Sequence, residues 1–229
     1  MNKHNTSAQV IVALDVDTLL QAQTLVDMLY PEIKIFKVGA HLFTAFGPQI
    51  IDLLHKKGAQ VFLDLKYFDI PNTVAQAVAV AARLKVKMLT LHIAGGEEML
   101  RQAVEAVAQE AKKNNYPAPL LIGVTVLTSK SADAEEVFAL AEKGIACGLD
   151  GVVCSAREAA VLRQRIRKSF FIITPGIRTA NAPNDDQKRT ATAAEAVKAG
   201  SDFLVIGRPI LEADDPLKMA KEILSSIFI

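Results

Sequence analysis

The sequence predicts a (β/α)8 barrel, the TIM-barrel architecture, formed as a single domain. Short apolar runs rich in β-branched residues alternate with longer helical patterns from end to end. No composition break or Pro/Gly/Ser-rich linker interrupts that alternation. The length, 229 residues, is usual for eight strand–helix units, and the palette suits parallel strands covered on both faces: 51% of residues are hydrophobic but only 6% aromatic.

In chain order the predicted strands are Val10–Leu14, Ile35–Val38, Val61–Leu65, Met88–His92, Leu120–Val126, Gly151–Cys154, Phe171–Thr174 and Phe203–Ile206. Amphipathic stretches between them include Leu19–Leu29, Thr73–Leu84, Glu97–Lys113, Glu135–Ala146 and Ala156–Arg167. Gly58, Gly148 and Gly200 each precede a strand by a few residues, where a glycine closing a helix belongs. Residues 1–9 are polar, lack the apolar segment of a signal peptide, and read as a frayed lead-in to one catalytic domain. The alternative is a doubly wound open sheet. It would carry a glycine-rich phosphate loop after the first strand, and Leu14-Asp15-Val16-Asp17-Thr18 has no glycine.

Composition removes several classes of function. Lys plus Arg (26) balances Asp plus Glu (25), and a net charge of +1 gives no footprint for nucleic acid or an anionic membrane. No apolar run reaches the roughly 18 residues that a bilayer span requires. Cys147 and Cys154 fit neither a zinc site nor a redox motif and read as reduced, buried thiols of a cytoplasmic protein. No P-loop and no H-E-x-x-H motif is present.

A barrel of this kind carries its chemistry at the C-terminal ends of its strands. Those positions hold Asp15, Lys37, Asp64, Lys66 and Asp69, then His92, Thr128 and Ser129, then Arg178, Gly207 and Arg208. Asp64 and Lys66 are two apart in a strand, so alternation puts both on one face, with Leu63 and Leu65 on the other. A Lys–Asp–Lys–Asp array suits a reaction that forms an anion and then protonates carbon, one ammonium stabilising the charge and delivering the proton. The rival reading of these charges is a structural ion-pair network. Gly176-Ile177-Arg178 and Gly207-Arg208, on adjacent strand ends, form a phosphate grip: glycine exposes backbone N–H groups and arginine adds a bidentate contact. The polar stretch from Pro175 to Arg189 is long enough to act as a lid. His92 reads equally as an acid–base group or a structural histidine. His41 and His55 fall in helical stretches and His4 in the tail, and none of the three is given a role.

The segment Asp64-Leu65-Lys66-Tyr67-Phe68-Asp69-Ile70-Pro71-Asn72-Thr73 resembles the signature of the orotidine 5′-phosphate decarboxylase family. The resemblance runs through Ala13-Leu14-Asp15, Lys37-Val38-Gly39, Thr125-Val126-Leu127-Thr128-Ser129, Thr174-Pro175-Gly176-Ile177-Arg178, Asp186-Gln187-Lys188-Arg189 and Val205-Ile206-Gly207-Arg208-Pro209-Ile210. It implies decarboxylation of orotidine 5′-phosphate to uridine 5′-phosphate in pyrimidine synthesis, with no metal and no organic cofactor. It also implies that Lys66 protonates C6, Asp64 lies near the departing carboxylate, and Lys37 bridges carboxylate and ribose. Asp15 would bind ribose, with Thr73 beside it from the partner, and Asp69 would enter the partner's site in a homodimer. Thr128 or Ser129 would read the pyrimidine edge, and Arg178, Gln187, Gly207 and Arg208 would hold the phosphate.

Three rival functions stand beside it. A related phosphosugar decarboxylase or aldolase would use a metal, and by resemblance that branch carries a glutamate ligand where Lys37 stands. A phosphate-ligand binding protein without activity would have no need of the charged tetrad. A Schiff-base aldolase would use Lys66 as its nucleophile.

Overall fold

The computed structural model describes residues 8–127, 133–178 and 189–227. Eight parallel strands close into a barrel in sequence order: β1 (Gln9–Ala13), β2 (Ile35–Gly39), β3 (Gln60–Tyr67), β4 (Met88–His92), β5 (Leu120–Val124), β6 (Gly151–Val153), β7 (Phe171–Thr174) and β8 (Phe203–Ile206). The last strand closes on the first, with Val10 opposite Leu204 and Ile11 opposite Val205. The barrel expectation therefore holds, and the open sheet is excluded.

Around the barrel run α1 (Leu19–Leu29), α2 (Ala40–Phe46), α3 (Pro48–Lys56), α4 (Pro71–Arg83), α5 (Gly96–Asn114), α6 (Ala134–Ala146), α7 (Ala156–Arg165), α8 (Ala193–Lys198), α9 (Arg208–Leu211) and α10 (Pro216–Ile227). Each start has a local cause. Thr18 caps α1 in a reciprocal box with Gln21, and Thr192 does the same for α8 with Glu195. Pro71 occupies the first turn of α4, where its missing N–H is not needed, so the helix starts two residues before the expected Thr73. The helix ends expected at Gly58, Gly148 and Gly200 are present, with φ of 85°, 99° and 99°. Helix α7 stops at Arg165 rather than Arg167 because Ile166 turns to extended backbone, its N–H still bonded to the Leu162 carbonyl.

Two apolar layers fill the molecule. The outward residues of the strands pack under the helices: along β3 these are Val61 and Leu63, with Leu65 partly buried against them. The inward residues form a separate plug that includes Ile11, Ile35, Phe62, Met88, Ile122, Ile173 and Phe203. That plug fills the barrel interior, so polar side chains are tolerated only above it, at the C-terminal mouth. Both cysteines are buried and unpaired. Among the described residues no helix is long and apolar enough to cross a membrane.

Strand β3 departs from the expected Val61–Leu65. It continues to Tyr67 and bulges: Leu63 pairs with Leu89 and Tyr67 with Leu91, so four residue steps on β3 face two on β4.

Backbone packs closely where β6 meets β7. A Cβ on Gly151 would lie 2.5 Å from the Phe171 carbonyl oxygen, a backbone atom that cannot rotate away. Gly151→Ala is therefore expected to lower the unfolding free energy by about 1–3 kcal/mol, measured by urea denaturation. A change within error would show that the two strands can separate freely.

Candidate active site

Three neighbouring strand ends bring four alternating charges together. The Lys37 ammonium on β2 lies 3.2 Å from Asp15 Oδ1, just past β1, and 3.9 Å from Asp64 Oδ2 on β3. The Lys66 ammonium lies 2.8 Å from the same Asp64 oxygen. Asp64 Oδ2 thus stands between two cations, and the sequence reads Asp15–Lys37–Asp64–Lys66 in space as well as in sign. Lys37 and Asp64 are each 13% exposed. At 3.9 Å their attraction is about 4 kcal/mol for an effective dielectric of about 20, offset by desolvation.

The expected common face of Asp64 and Lys66 arises in an unexpected way. Lys66 has φ of 52°, in the left-handed region that side-chain-bearing residues rarely occupy. The bulge, rather than simple alternation, turns the Lys66 ammonium back onto Asp64. Gly39 supports the neighbouring lysine, since a Cβ there would come within 3.2 Å of Lys37 Nζ.

These charges line one wall of a cavity of about 290 Å³. Its floor is apolar, made by Phe62, Val124, Val153, Ile173 and Val205. The same cavity is lined by Gly176 and Arg178 after β7 and by Gly207 and Arg208 after β8, the strand that neighbours β1. Arg178 donates from its side chain to the Ile177 carbonyl at 2.8 Å, and its backbone N–H bonds to the Ala191 carbonyl. Gly207 and Arg208 open the short helix α9. A Cβ on Gly207 would make ordinary contact with Asp15 and Ala13 at 3.4 and 3.5 Å, which sets the end of β8 beside the charged array.

Asp69 and Thr73 are not brought into this cavity. Both are exposed at the start of α4, where Asp69 Oδ1 accepts from the Ile70 N–H. Beside them Phe68 is 62% and Ile70 66% exposed. His92 packs edge-on against Phe68, their ring centroids 5.7 Å apart. Thr128, Ser129 and Gln187 lie outside the described residues, as do 179–188 of the expected Pro175–Arg189 lid. Burial pushes the Cys154 thiol far up, which removes it as a nucleophile. Among the described residues no cluster of three or more His, Cys, Asp or Glu side chains is placed to hold a metal.

Two residues were not anticipated. Thr90 on β4 is fully buried; its hydroxyl donates to Asp64 Oδ1 at 2.9 Å and accepts the Lys66 backbone N–H at 2.9 Å. A polar residue on the inward face of an otherwise apolar strand was the available signal. Arg189 pairs with Glu158 on α7 and donates to the Val126 and Leu127 carbonyls at 3.3 and 3.1 Å, tying the segment after β7 to the end of β5. Nothing in sequence separation pointed to that contact.

A family model described as "Orotidine 5'-phosphate decarboxylase / HUMPS family" matches residues 8–223. A relative from Vibrio cholerae serotype O1 named orotidine 5′-phosphate decarboxylase is 46% identical, the match covering 96% of this chain and 98% of the relative. Another of that name, from Trichlorobacter lovleyi, is 44% identical, with 99% and 98% covered. The crystal structure of orotidine 5′-phosphate decarboxylase from Lactobacillus acidophilus is similar with a TM-score of 0.85 at 34% identity, covering 97% of this chain and all of that one.

Among the described residues Asp64 is the one carboxylate ion-paired with both lysines. Asp64→Asn should lower stability at neutral pH by about 1–2 kcal/mol, a buried-pair loss discounted for the partly exposed Lys66. Denaturation at low and high salt checks this: the loss should shrink at high salt as the two ammonium groups are screened. A more stable variant at low salt would contradict it.

Proposed function

The chain belongs to the orotidine 5′-phosphate decarboxylase / HUMPS family, and from that premise we propose that it converts orotidine 5′-phosphate to uridine 5′-phosphate and carbon dioxide, the last step of pyrimidine nucleotide synthesis, as a single-domain cytoplasmic homodimer using neither metal nor organic cofactor. One observation carries the choice within the family. Lys37 places an ammonium 3.2 Å from Asp15 and 3.9 Å from Asp64, where the metal-using phosphosugar branch would carry a glutamate ligand. A cation in that position repels a divalent ion. The same array supports catalysis over a silent binding role, since binding alone gives no reason to gather four charges over an apolar floor.

The chemistry follows from the arrangement. The bond from C6 to the carboxylate breaks, and its electron pair stays on C6 as carbon dioxide leaves. A carbanion on this ring has no electron sink of the kind an organic cofactor supplies, so fixed charge must stabilise it. The Lys66 ammonium faces the developing pair and transfers its proton to C6, then regains one from solvent. Asp64 lies beside the departing carboxylate and holds Lys66, while Lys37 spans carboxylate and ribose. Asp15 takes the ribose hydroxyls. Thr128 or Ser129 reads the pyrimidine edge over the apolar floor. Arg178, Gly207 and Arg208 bind the phosphate together with Gln187, and this remote binding energy is expressed at C6 in the transition state.

Asp69 and Thr73 act in the partner's site. Their placement outside their own cavity supports this, as do Phe68 and Ile70, which flank Asp69 with apolar surface of the kind that a second copy covers. Wild type should therefore turn over orotidine 5′-phosphate, and Lys66→Ala should lose about 10²–10⁴-fold in kcat/KM. Asp69→Ala should be similarly impaired. Unfolding and refolding the two variants together should restore about a quarter of the wild-type sites, the statistical yield of one intact site in each mixed dimer. No recovery on mixing would place Asp69 in its own subunit's site or in none.

A further inference from the structure

Thr90 plays a part that the family reading of the site did not supply. The bulge sets four residue steps of β3 against two of β4, and Thr90 is the single residue on β4 between the paired Leu89 and Leu91. A bulge strands a backbone donor that the ladder would otherwise pair. Here the donor is the N–H of Lys66, the residue forced to φ of 52°. The Thr90 hydroxyl accepts it at 2.9 Å and donates to Asp64 Oδ1, also at 2.9 Å. The hydroxyl thus serves as donor and acceptor at once. Asp64 is consequently fixed through both oxygens: Oδ1 by Thr90, and Oδ2 by Lys66 at 2.8 Å and Lys37 at 3.9 Å.

We propose that Thr90 is a positioning residue for proton delivery, holding the Lys66 backbone in its left-handed conformation and Asp64 in register with the Lys66 ammonium. Thr90 itself is fully buried beneath the charged array and does not line the cavity. It acts through Asp64 and Lys66 rather than on substrate. Its role in turnover rests on the decarboxylase reading; its role in the geometry does not.

Thr90→Val tests this well, because valine keeps the shape and the strand preference while removing the hydroxyl. Thr90→Ser keeps the hydroxyl and loses the methyl. The measurements are kcat and KM for orotidine 5′-phosphate, the melting temperature, and a crystal structure of the valine variant. The expected result is a kcat lower by about 100-fold in Thr90→Val, the scale of a reacting group displaced by about 1 Å. KM should change little. The melting temperature should fall by a few degrees as the Lys66 N–H loses its buried partner, and Thr90→Ser should recover most of both the activity and the stability. In the crystal, Lys66 should leave the left-handed region or its ammonium should leave Asp64. A valine variant with wild-type kcat overturns the proposal. So does one whose losses in kcat and melting temperature are not rescued by serine, since that pattern marks a residue needed for its packing and not for its hydroxyl. If wild type itself fails to turn over the nucleotide, the decarboxylase reading falls, and the crystal decides the role of Thr90: Lys66 and its ammonium unmoved would overturn it, and their displacement would uphold it.

Discussion

A single carboxylate organises the mouth of this barrel. Asp64 accepts from Lys66 through one oxygen, which also faces Lys37 at 3.9 Å, and from a buried threonine through the other. Remove it and, among the described residues, the Lys66 ammonium loses its carboxylate while Lys37 keeps the exposed Asp15. Alternating signs on neighbouring strands are what allow four charges to be gathered at the edge of an apolar interior, where an unpaired ion would be expelled or neutralised. The decarboxylation proposed for this chain, which needs a cation held against a developing carbanion, would draw on that alternation.

The scaffold exists to hold those charges still. Strand ends around the barrel deliver side chains to a common rim, and the inner plug of Ile, Phe and Met residues lies beneath it. The outer layer, where strands meet helices, carries most of the apolar burial. Rigidity matters because a proton donor displaced by even 1 Å loses much of its advantage. The β3 bulge shows how local strain is tolerated: Lys66 occupies an unfavourable backbone region because its N–H has a buried partner and its ammonium a fixed carboxylate.

Much of this was legible in the residues. Periodicity located all eight strands because parallel strands buried on both faces read as β-branched runs with little ambiguity. The site was legible because polar residues at strand ends, such as Asp15 and Arg178, have no reason to interrupt an apolar pattern unless they face the mouth. Legibility failed where the cause is three-dimensional. Alternation correctly put Asp64 and Lys66 together but for the wrong reason, since a bulge leaves no trace in a single strand's pattern. Thr90 passed as an ordinary strand threonine because its two partners lie 24 and 26 positions away. Arg189 was read only as the end of a loop, its contacts with Glu158 and the end of β5 being set by packing across three units. The short helices α2 and α3 after β2 carry His41 and His55, which the sequence put in helical stretches without giving those stretches bounds.

The most direct test of this site follows the absorbance and products of orotidine 5′-phosphate mixed with protein stripped of metals by a strong chelator. Stoichiometric uridine 5′-phosphate and carbon dioxide, at a rate that added magnesium does not raise, is the expected result and would assign the chemistry to the protein's own charges. An inert stripped protein that gains activity only on adding a divalent metal would contradict it, and would move the chain to the metal-dependent phosphosugar branch.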